Sequence, residues 1–310
     1  MIPTYSVIVP AYNEEGNVQG LFESIKKTMD NLGDAYEVIF VNDGSSDQTL
    51  EVLKKFSPIK IINFRKNFGQ TAALDAGFKA ARGEYFITLD GDGQNPPEEI
   101  PKLIHKMKEG DFDVVSGWRR KRKDPFFKRF ASKGAYILRN MIVKDHVKDS
   151  GCSLKIYKRE CFDGVDLFGE MHRFIPAVLH WRGFTIGEVE VSHQPRVHGV
   201  TKYNWKRTFK GFVDMISVWF WRKYSNRPLH LFGGAGMMMT TLGLLGFVVL
   251  AVLRIFFDYG LSDKIWPLVF ILMVIMGVQL FISGLMADIA VKNYYSGKRR
   301  PYIIKEVIEI

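Results

Sequence analysis

The sequence predicts an α/β protein with a doubly wound, mainly parallel sheet, followed by amphipathic interfacial helices and a two-helix transmembrane hairpin. Three observations predict this fold class. In residues 5–116, short apolar runs alternate with segments of helical periodicity, which is typical of a parallel sheet with helices on both faces. Residues 203–230 interleave aromatic and basic side chains. Two uncharged stretches then follow, and each is long enough to cross a hydrocarbon core of roughly 30 Å.

Strands and helices alternate in the first part of the chain. The apolar runs predict strands at residues 5–9, 36–41, 59–62, 85–89 and 112–116. Apolar residues at helical spacing predict helices at residues 18–29, 47–56, 69–81 and 96–107. Pro96 and Pro97 suit the first turn of the last helix, where no N–H donor is needed. The second and fourth strands are continuous apolar runs, as expected where helices cover both faces of a sheet.

Polar residues collect directly after four of these strands. The segments are PAYNEE, NDGSSD, NFRKNFG and DGDGQ, in that order. Ligands of open α/β sheets bind beyond the carboxyl ends of the strands, so we expect these segments to form one site. Ordinary polar loops would explain any single segment, but they explain acidic or amide groups at four successive strand ends poorly.

The fourth segment has the composition of a metal site. Asp90 and Asp92 are two positions apart at the end of a strand, so their carboxylates face the same way. Gly91 and Gly93 let the backbone bend, and Gln94 supplies a neutral oxygen. Mg²⁺ and Mn²⁺ prefer carboxylates, water and substrate phosphates. We therefore predict a site for Mg²⁺ or Mn²⁺ bound to a diphosphate, although two aspartates at this spacing are a weak signal alone.

The sequence lacks the two common glycine-rich nucleotide-binding motifs, but side chains can still hold a nucleotide at the ends of the strands. Neither GxGxxG nor GxxxxGK[ST] follows any of the predicted strands, which disfavours a Rossmann dehydrogenase or a P-loop enzyme. Asp43 and Asp47 follow the second strand and would accept hydrogen bonds from the base or the ribose. Tyr12 would lie near the base, and Glu14 would bind the nucleoside.

The net charge of +10 comes from a few basic segments. Arg222, Lys223 and Arg227 precede the first uncharged stretch, and four basic residues follow the second. The positive-inside rule then predicts that the N-terminal domain and the C-terminal tail are cytoplasmic. Basic patches also occur in nucleic-acid-binding proteins. Beside two spans, however, anionic lipid or a phosphorylated substrate is the better prediction, and we expect no nucleic acid.

Four regions are predicted along the chain. They are a catalytic domain at residues 1–202, an amphipathic interfacial helix at 203–230, a transmembrane hairpin at 231–290 with spans 231–253 and 265–287, and a cytoplasmic tail at 291–310. Residues 125–142 are a weaker candidate for a second interfacial helix. The alternatives are buried core helices instead of spans, and a helix that packs on the soluble domain instead of lying in the interface. Glycines in the first span would permit close helix packing within one hairpin or between subunits of a homo-oligomer.

Cysteine content and the N-terminus add two expectations. The chain has two cysteines, Cys152 and Cys161, and neither forms part of a CxxC pair. We expect buried structural thiols in a reducing compartment, without a disulfide framework. Charged residues come too early for the apolar region of a signal peptide, so none is predicted.

The ordered motifs resemble a known family. The segments are IVPAYNEEGNV, VNDGSSDQT, RKNFGQTAALDAGF, TLDGDGQNPPE, DSGCSLKIYKR and HQPRVHGVTKY. Together they resemble family 2 glycosyltransferases with a GT-A fold, and more narrowly the polyprenyl-phosphate glycosyltransferases, which include dolichyl-phosphate mannose synthases and bacterial undecaprenyl-phosphate enzymes. YYSGKRRPYII after the hairpin resembles the two-span members. The resemblance covers nearly the whole chain.

The resemblance implies roles for individual residues. The implied nucleoside-binding positions are Pro10, Tyr12, Glu14 and Asp43, and the implied metal and diphosphate positions are Asp90, Asp92 and Gln94. The implied acceptor-phosphate positions are Arg119, Arg129 and Ser132, and the residues of a loop that closes on the diphosphate are Arg196 and Lys202. Gly93 departs from the family pattern, as does Thr201, and neither departure removes one of these groups. Asp149 is left open between a catalytic and a structural role.

The resemblance implies an inverting sugar transfer from a UDP- or GDP-sugar to undecaprenyl or dolichyl phosphate. Two alternatives remain at this point. One is a processive polysaccharide synthase, which typically has more spans and a QxxRW motif that this chain lacks. The other is a membrane-anchored protein that binds nucleotide sugars or recruits partners without catalysis. The sugar, the base and the length of the lipid are left undetermined.

Overall fold

The computed structural model describes residues 2–120, 147–165, 167, 171–194, 220, 223–224, 227–262 and 264–296. Several predicted features lie outside these residues. They are Arg129, Ser132, Arg196, Lys202, the helix at 125–142, residues 203–219 of the interfacial helix and residues 297–310 of the tail. The chain divides into two compact units, Met1–Ile216 and Ser217–Ile310.

The first unit contains a seven-stranded sheet in the order β3-β2-β1-β4-β6-β5-β7. The strands are β1 (Tyr5–Ala11), β2 (Tyr36–Asn42), β3 (Lys60–Asn63), β4 (Tyr85–Thr88), β5 (Val114–Trp118), β6 (Lys155–Lys158) and β7 (Ile186–Glu190). All neighbouring pairs are parallel except those of β6, which runs antiparallel to both β4 and β5. The mainly parallel sheet is therefore confirmed.

Helices cover both faces of this sheet. They are α1 (Val18–Leu32), α2 (Thr49–Leu53), α3 (Gln70–Ala80), α4 (Ile100–Gly110) and α5 (Ile175–Trp181). Val7 and Val9 pack in one buried cluster with residues of α1 and α4, whereas Ile8 packs in the other with residues of α3 and α5. This alternation along β1 confirms the doubly wound arrangement, because successive side chains of a strand point to opposite faces.

The predicted elements are present with shifted ends. β1 continues through Pro10 to Ala11, because its ladder with β4 stops at Ile8 and no N–H is needed from Pro10 on that side. The helix predicted at residues 47–56 is limited to Thr49–Leu53. Asp47 lies before it and accepts a hydrogen bond from the Thr49 N–H (3.0 Å). The strands β6 and β7 and the helix α5 were not predicted.

The second unit contains two long apolar helices, α6 (Pro228–Phe257) and α7 (Trp266–Ser296). By length and composition, Pro228–Phe257 and Trp266–Val291 are able to cross a membrane. In the most apolar segment of each helix, only 17% and 11% of the residues are buried. Most of that apolar surface is therefore not covered by protein. This favours the predicted spans over buried core helices.

Glycines let α6 and α7 pack backbone against backbone. A Cβ atom on Gly236 would lie 2.5 Å from the Gly277 carbonyl oxygen, and one on Gly277 would lie 2.6 Å from the Thr240 nitrogen. A Cβ atom on Gly243 would lie 2.9 Å from the Phe270 carbonyl oxygen. Close approach of this kind is a common mode of helix association in membranes. These glycines therefore act within one hairpin, and a homo-oligomer stays a prediction.

We expect Gly236→Val to destabilise the hairpin by about 1–3 kcal/mol, because the added methyl groups overpack a backbone contact. Gly234→Val is the matched control, since a Cβ atom on Gly234 has no neighbour within 4 Å and the change in helix propensity is the same. The free energy of unfolding in mixed detergent and SDS micelles measures both. Equal losses in the two variants would contradict the packing described.

Candidate active site

The parallel strands β1, β2 and β3 end in one line. Ala11 pairs with Asn42, and Asn42 pairs with Asn63. The loops that follow β1 and β2 are joined by hydrogen bonds. The Asn13 N–H donates to Ser45 Oγ (3.0 Å), and the Glu14 N–H donates to Thr49 Oγ1 (2.9 Å). Two of the predicted polar segments therefore form one surface at the carboxyl end of the sheet.

Asp43 fixes the loop that follows β3. Its buried carboxylate accepts hydrogen bonds from the Phe68 N–H (2.7 Å), the Gly69 N–H (2.9 Å) and Asn67 Nδ2 (3.1 Å). Gly44 is needed beside it, because a Cβ atom there would lie 2.2 Å from the Lys66 carbonyl carbon. Holding this loop is a role that sequence reasoning missed, and a contact of Asp43 with the nucleoside stays a prediction.

The other predicted nucleoside residues lie beside Asp43. Pro10 is buried within β1, whereas Tyr12 is 41% exposed. The Asp43 N–H donates to the Ala11 carbonyl (2.9 Å), so Tyr12 follows directly on a residue that Asp43 contacts. Glu14 accepts a hydrogen bond from Asn17 Nδ2 (2.5 Å). The structure thus brings these four predicted residues to one edge of the sheet.

The DGDGQ segment forms a tight loop against β1. The Asp90 N–H donates to Ser153 Oγ (3.1 Å), and Gln70 Nε2 donates to Asp90 Oδ1 (2.6 Å). The Gln94 N–H donates to Asp92 Oδ1 (3.1 Å). Burial raises the pKa of Asp90, and the neighbouring Asp92 carboxylate raises it further.

Two of the glycine roles in this loop are visible. A Cβ atom on Gly91 would lie 2.9 Å from the Pro10 carbonyl oxygen, so this position allows the loop to lie against β1. Gly93 has a φ of +70°, a conformation that favours glycine. The flexible backbone that the sequence indicated is therefore used for close approach at one glycine and for a left-handed turn at the other.

The donor set of this loop fits a hard divalent cation. Asp90, Asp92 and Gln94 carry side-chain oxygen atoms on one short loop. Among the described residues, no group of three or more His, Cys, Asp or Glu side chains is arranged to hold a metal. A cation here would complete its coordination with phosphate oxygens and water, as Mg²⁺ commonly does. Its charge would favour the ionised form of Asp90, against the effect of burial on the pKa of that carboxyl.

Arg119 and Asp149 form a buried, two-point ion pair. Arg119 Nε donates to Asp149 Oδ2 (2.7 Å), and Arg119 Nη2 donates to Asp149 Oδ1 (3.0 Å). The two side chains are only 7% and 9% exposed. The guanidinium thus donates to both carboxylate oxygens of Asp149, and these two bonds fix the orientation of the guanidinium. For the question that the sequence left open, this geometry favours an orienting role of Asp149.

The chain that leads to Arg196 is anchored beside the DGDGQ loop. The Gln194 N–H donates to the Gln94 carbonyl (2.9 Å), and Ser192 Oγ donates to Glu99 Oε1 (2.7 Å). Arg196 and Lys202, like Arg129 and Ser132, lie outside the described residues.

Several residues of the site were missed from the sequence. They are Gln70, Asn95, Ser153 and Lys155. Three of them depend on β6, which inserts between β4 and β5 and brings residues 149–155 beside the DGDGQ loop. The DSGCSLK motif was a usable signal, but the order of residues along the chain does not show which strands become neighbours.

Comparisons with known proteins agree with this architecture. The model of the family described as "Glycosyl transferase family 2" matches residues 6–165. The chain is 36% identical to a dodecaprenyl-phosphate galacturonate synthase of Rhizobium johnstonii, over 98% of this chain and 93% of the relative. It is 34% identical to an undecaprenyl-phosphate 4-deoxy-4-formamido-L-arabinose transferase of Proteus mirabilis, over 98% of this chain and 94% of the relative.

A solved structure shows the fold. The glucosyl-3-phosphoglycerate synthase of Mycobacterium tuberculosis is 17% identical, with a TM-score of 0.56, over 71% of this chain and 80% of that one. This likeness confirms the GT-A fold that the motifs predicted. With the family match over half of the chain and relatives that align along nearly all of it, the protein belongs to glycosyl transferase family 2 and is a glycosyltransferase.

Proposed function

We propose that this enzyme transfers a sugar from a nucleoside diphosphate sugar to a polyprenyl phosphate. The observation that carries the proposal is the Arg119–Asp149 pair, an oriented guanidinium at the same edge of the sheet as the DGDGQ loop. One edge would then hold two phosphate groups, the diphosphate of the donor and the phosphate of the acceptor. The named activities of both relatives, which align over nearly their full lengths, support this choice of acceptor.

The donor would lie across the ends of β1, β2 and β4. Tyr12, Glu14 and Asp43 are the proposed contacts of the nucleoside. Asp90, Asp92 and Gln94 would hold Mg²⁺ or Mn²⁺ at the diphosphate, where the cation would supply positive charge as the nucleoside diphosphate leaves. Solved structures of the mycobacterial synthase contain Mn²⁺ or Mg²⁺ together with UDP, which supports a divalent cation here.

Arg196 and Lys202 are proposed to bind the leaving diphosphate. Gln194 is hydrogen-bonded to Gln94, and two extended residues span at most about 7 Å. The chain therefore permits Arg196 to reach the donor diphosphate. Cationic donors directed at the leaving phosphate would stabilise the charge that develops there.

The acceptor phosphate needs little activation. A phosphate monoester has a second pKa of about 6, so its oxygen is largely ionised at neutral pH and a general base is unnecessary. Arg119, with Arg129 and Ser132, is proposed to hold this phosphate. Within the described part of the chain, the side-chain hydrogen bonds of Arg119 go to Asp149 and use two of the five donors of the guanidinium, so donors are available for a ligand. Attack from the face opposite the diphosphate would invert the anomeric carbon.

The membrane arrangement extends the proposal. Residues 231–290 would form the anchoring hairpin, and residues 203–230 would lie in the interface near the lipid acceptor. By the positive-inside rule, the basic residues at both outer ends of the hairpin support a cytoplasmic location for the proposed catalytic domain of residues 1–202 and for the tail of residues 291–310. The acceptor chain would then stay in the bilayer while its phosphate enters the site.

A donor panel tests this function. We expect the purified full chain, with Mn²⁺ and either undecaprenyl or dolichyl phosphate, to form a glycolipid from at least one UDP- or GDP-sugar. Chromatography of the extracted lipids measures the product. Tight nucleotide binding by folded protein, without product from any pairing, would overturn the proposal and favour a non-catalytic binding protein.

A further inference from the structure

Lys155 is a buried basic residue close to the candidate site, and the proposed transfer reaction assigns it no role. Lys155 is only 3% exposed. It lies on β6, the strand between β4 and β5. It pairs in register with Thr88, the last residue of β4, and with Ser116 of β5. Its ammonium therefore lies beneath the edge of the sheet at which the DGDGQ loop begins. Burying an ammonium is costly unless hydrogen bonds and nearby charges compensate.

The partners of Lys155 lie in the short loop of residues 149–153. Its Nζ donates to the Cys152 carbonyl and to the Ser150 carbonyl (3.4 Å). Burial lowers the pKa of Lys155, whereas the nearby carboxylates of Asp149 and Asp90 act in the opposite direction and favour its charged form. The ammonium thus holds the backbone of this loop through two of its carbonyls and adds positive charge near the carboxylates of Asp149 and Asp90.

The same loop contacts both of the proposed phosphate-binding groups. At one end, Asp149 orients Arg119. At the other end, Ser153 Oγ accepts hydrogen bonds from the Asp90 N–H (3.1 Å) and from Asn95 Nδ2 (2.8 Å). A displacement of the loop would therefore move the acceptor arginine and the cation-binding loop relative to each other.

We propose that Lys155 is a positioning residue for sugar transfer: its ammonium holds loop 149–153 and thereby sets the separation between Arg119 and the DGDGQ loop. The inference rests on the proposed function, because it assigns the two ends of the loop to the acceptor and to the donor. Lys155 touches neither substrate. Its effect passes through Asp149 to the acceptor and through Ser153 to the cation site.

The test compares Lys155→Met with Lys155→Arg in the full chain. Methionine keeps much of the length of the side chain without charge, whereas arginine restores a cation and N–H donors. Lys158→Met is the matched control, because Lys158 belongs to the same strand but pairs with Asp113 (2.9 Å) and is partly exposed. Electron paramagnetic resonance measures Mn²⁺ binding without turnover, and steady-state kinetics measure kcat and the KM for undecaprenyl phosphate.

We expect Lys155→Met to weaken Mn²⁺ binding and to lower kcat/KM for the acceptor by about 10–100-fold each. Losses of this size are common when a residue that supports a metal ligand is replaced. Lys155→Arg should recover part of both, and Lys158→Met should match the unsubstituted protein. Folded Lys155→Met with unchanged Mn²⁺ binding and acceptor KM would overturn the inference. If that variant does not fold, Ser153→Ala decides, because unchanged values there would overturn the coupling through the loop.

The two proposals fail differently. If the unsubstituted protein makes no glycolipid, the proposed function fails, and Mn²⁺ binding still reports on the coupling of Lys155 to the cation site through Ser153. If it makes glycolipid and Lys155→Met does so equally well with the same Mn²⁺ affinity, only the role of Lys155 fails.

Discussion

Asp92→Asn should lower kcat by at least about 10²–10³-fold, because one of the two carboxylates proposed to hold the cation loses its charge. The loop should keep its shape, since an asparagine Oδ1 still accepts the hydrogen bond that the Gln94 N–H donates to Asp92 (3.1 Å). The loss would then be chemical and not a failure to fold. Initial rates at saturating Mn²⁺, together with thermal unfolding, separate the two effects.

Asp111→Asn is the matched control for this variant. Asp111 has a φ of 44° and is 96% exposed at the end of α4, and asparagine accepts this backbone conformation as readily as aspartate. We expect wild-type rates from it. Retained turnover in Asp92→Asn would refute the assignment of Asp92 to the cation.

Asp149→Asn should destabilise the protein and weaken acceptor binding together. Removing one partner of a buried ion pair leaves an uncompensated charge and typically costs about 3–5 kcal/mol. Arg119 would also lose its fixed orientation, so the KM for the lipid phosphate should rise. Chemical denaturation measures the stability, and acceptor titration measures the KM.

The double variant Arg119→Leu with Asp149→Leu separates these effects. Apolar side chains that replace a buried ion pair often restore stability, but they cannot bind a phosphate. We expect stability near that of the unsubstituted protein with little transfer. A fall in kcat for Asp149→Asn with an unchanged acceptor KM would instead favour a general base at this position.

Four of the five strands that were predicted from the sequence are strands that the sheet buries on both faces. The fifth, β3, was predicted although it lies at the edge of the sheet and is only partly buried. β1, β2, β4 and β5 consist mainly of apolar residues and are almost wholly buried, so their composition shows their environment directly. β6 begins and ends with a lysine, and the burial of Lys155 depends on carbonyls and charges of a loop that folds beside it. β7 lies at the edge of the sheet and contains a glycine and two glutamates.

The candidate site shows the same division. Asp43, Asp90 and Asp92 could be placed from the sequence, because each follows a recognisable strand and parallel strands end at a common edge. The contact between Arg119 and Asp149 could not be predicted from the sequence, since it requires β6 to insert between β4 and β5. Likewise, Asp43 was expected to meet a ligand, and only the folded loop shows that its carboxylate also binds the N–H groups of Phe68 and Gly69.

The central claim is that the sugar moves to a lipid-borne phosphate. Its most direct test offers the purified full chain undecaprenyl phosphate or undecaprenol, with the same sugar nucleotide and Mn²⁺, and analyses the lipids by mass spectrometry. We predict a product with the mass of one sugar joined to undecaprenyl phosphate, and no product from undecaprenol, whose hydroxyl would need a general base. Transfer to undecaprenol, or hydrolysis of the donor without any glycolipid, would contradict the claim.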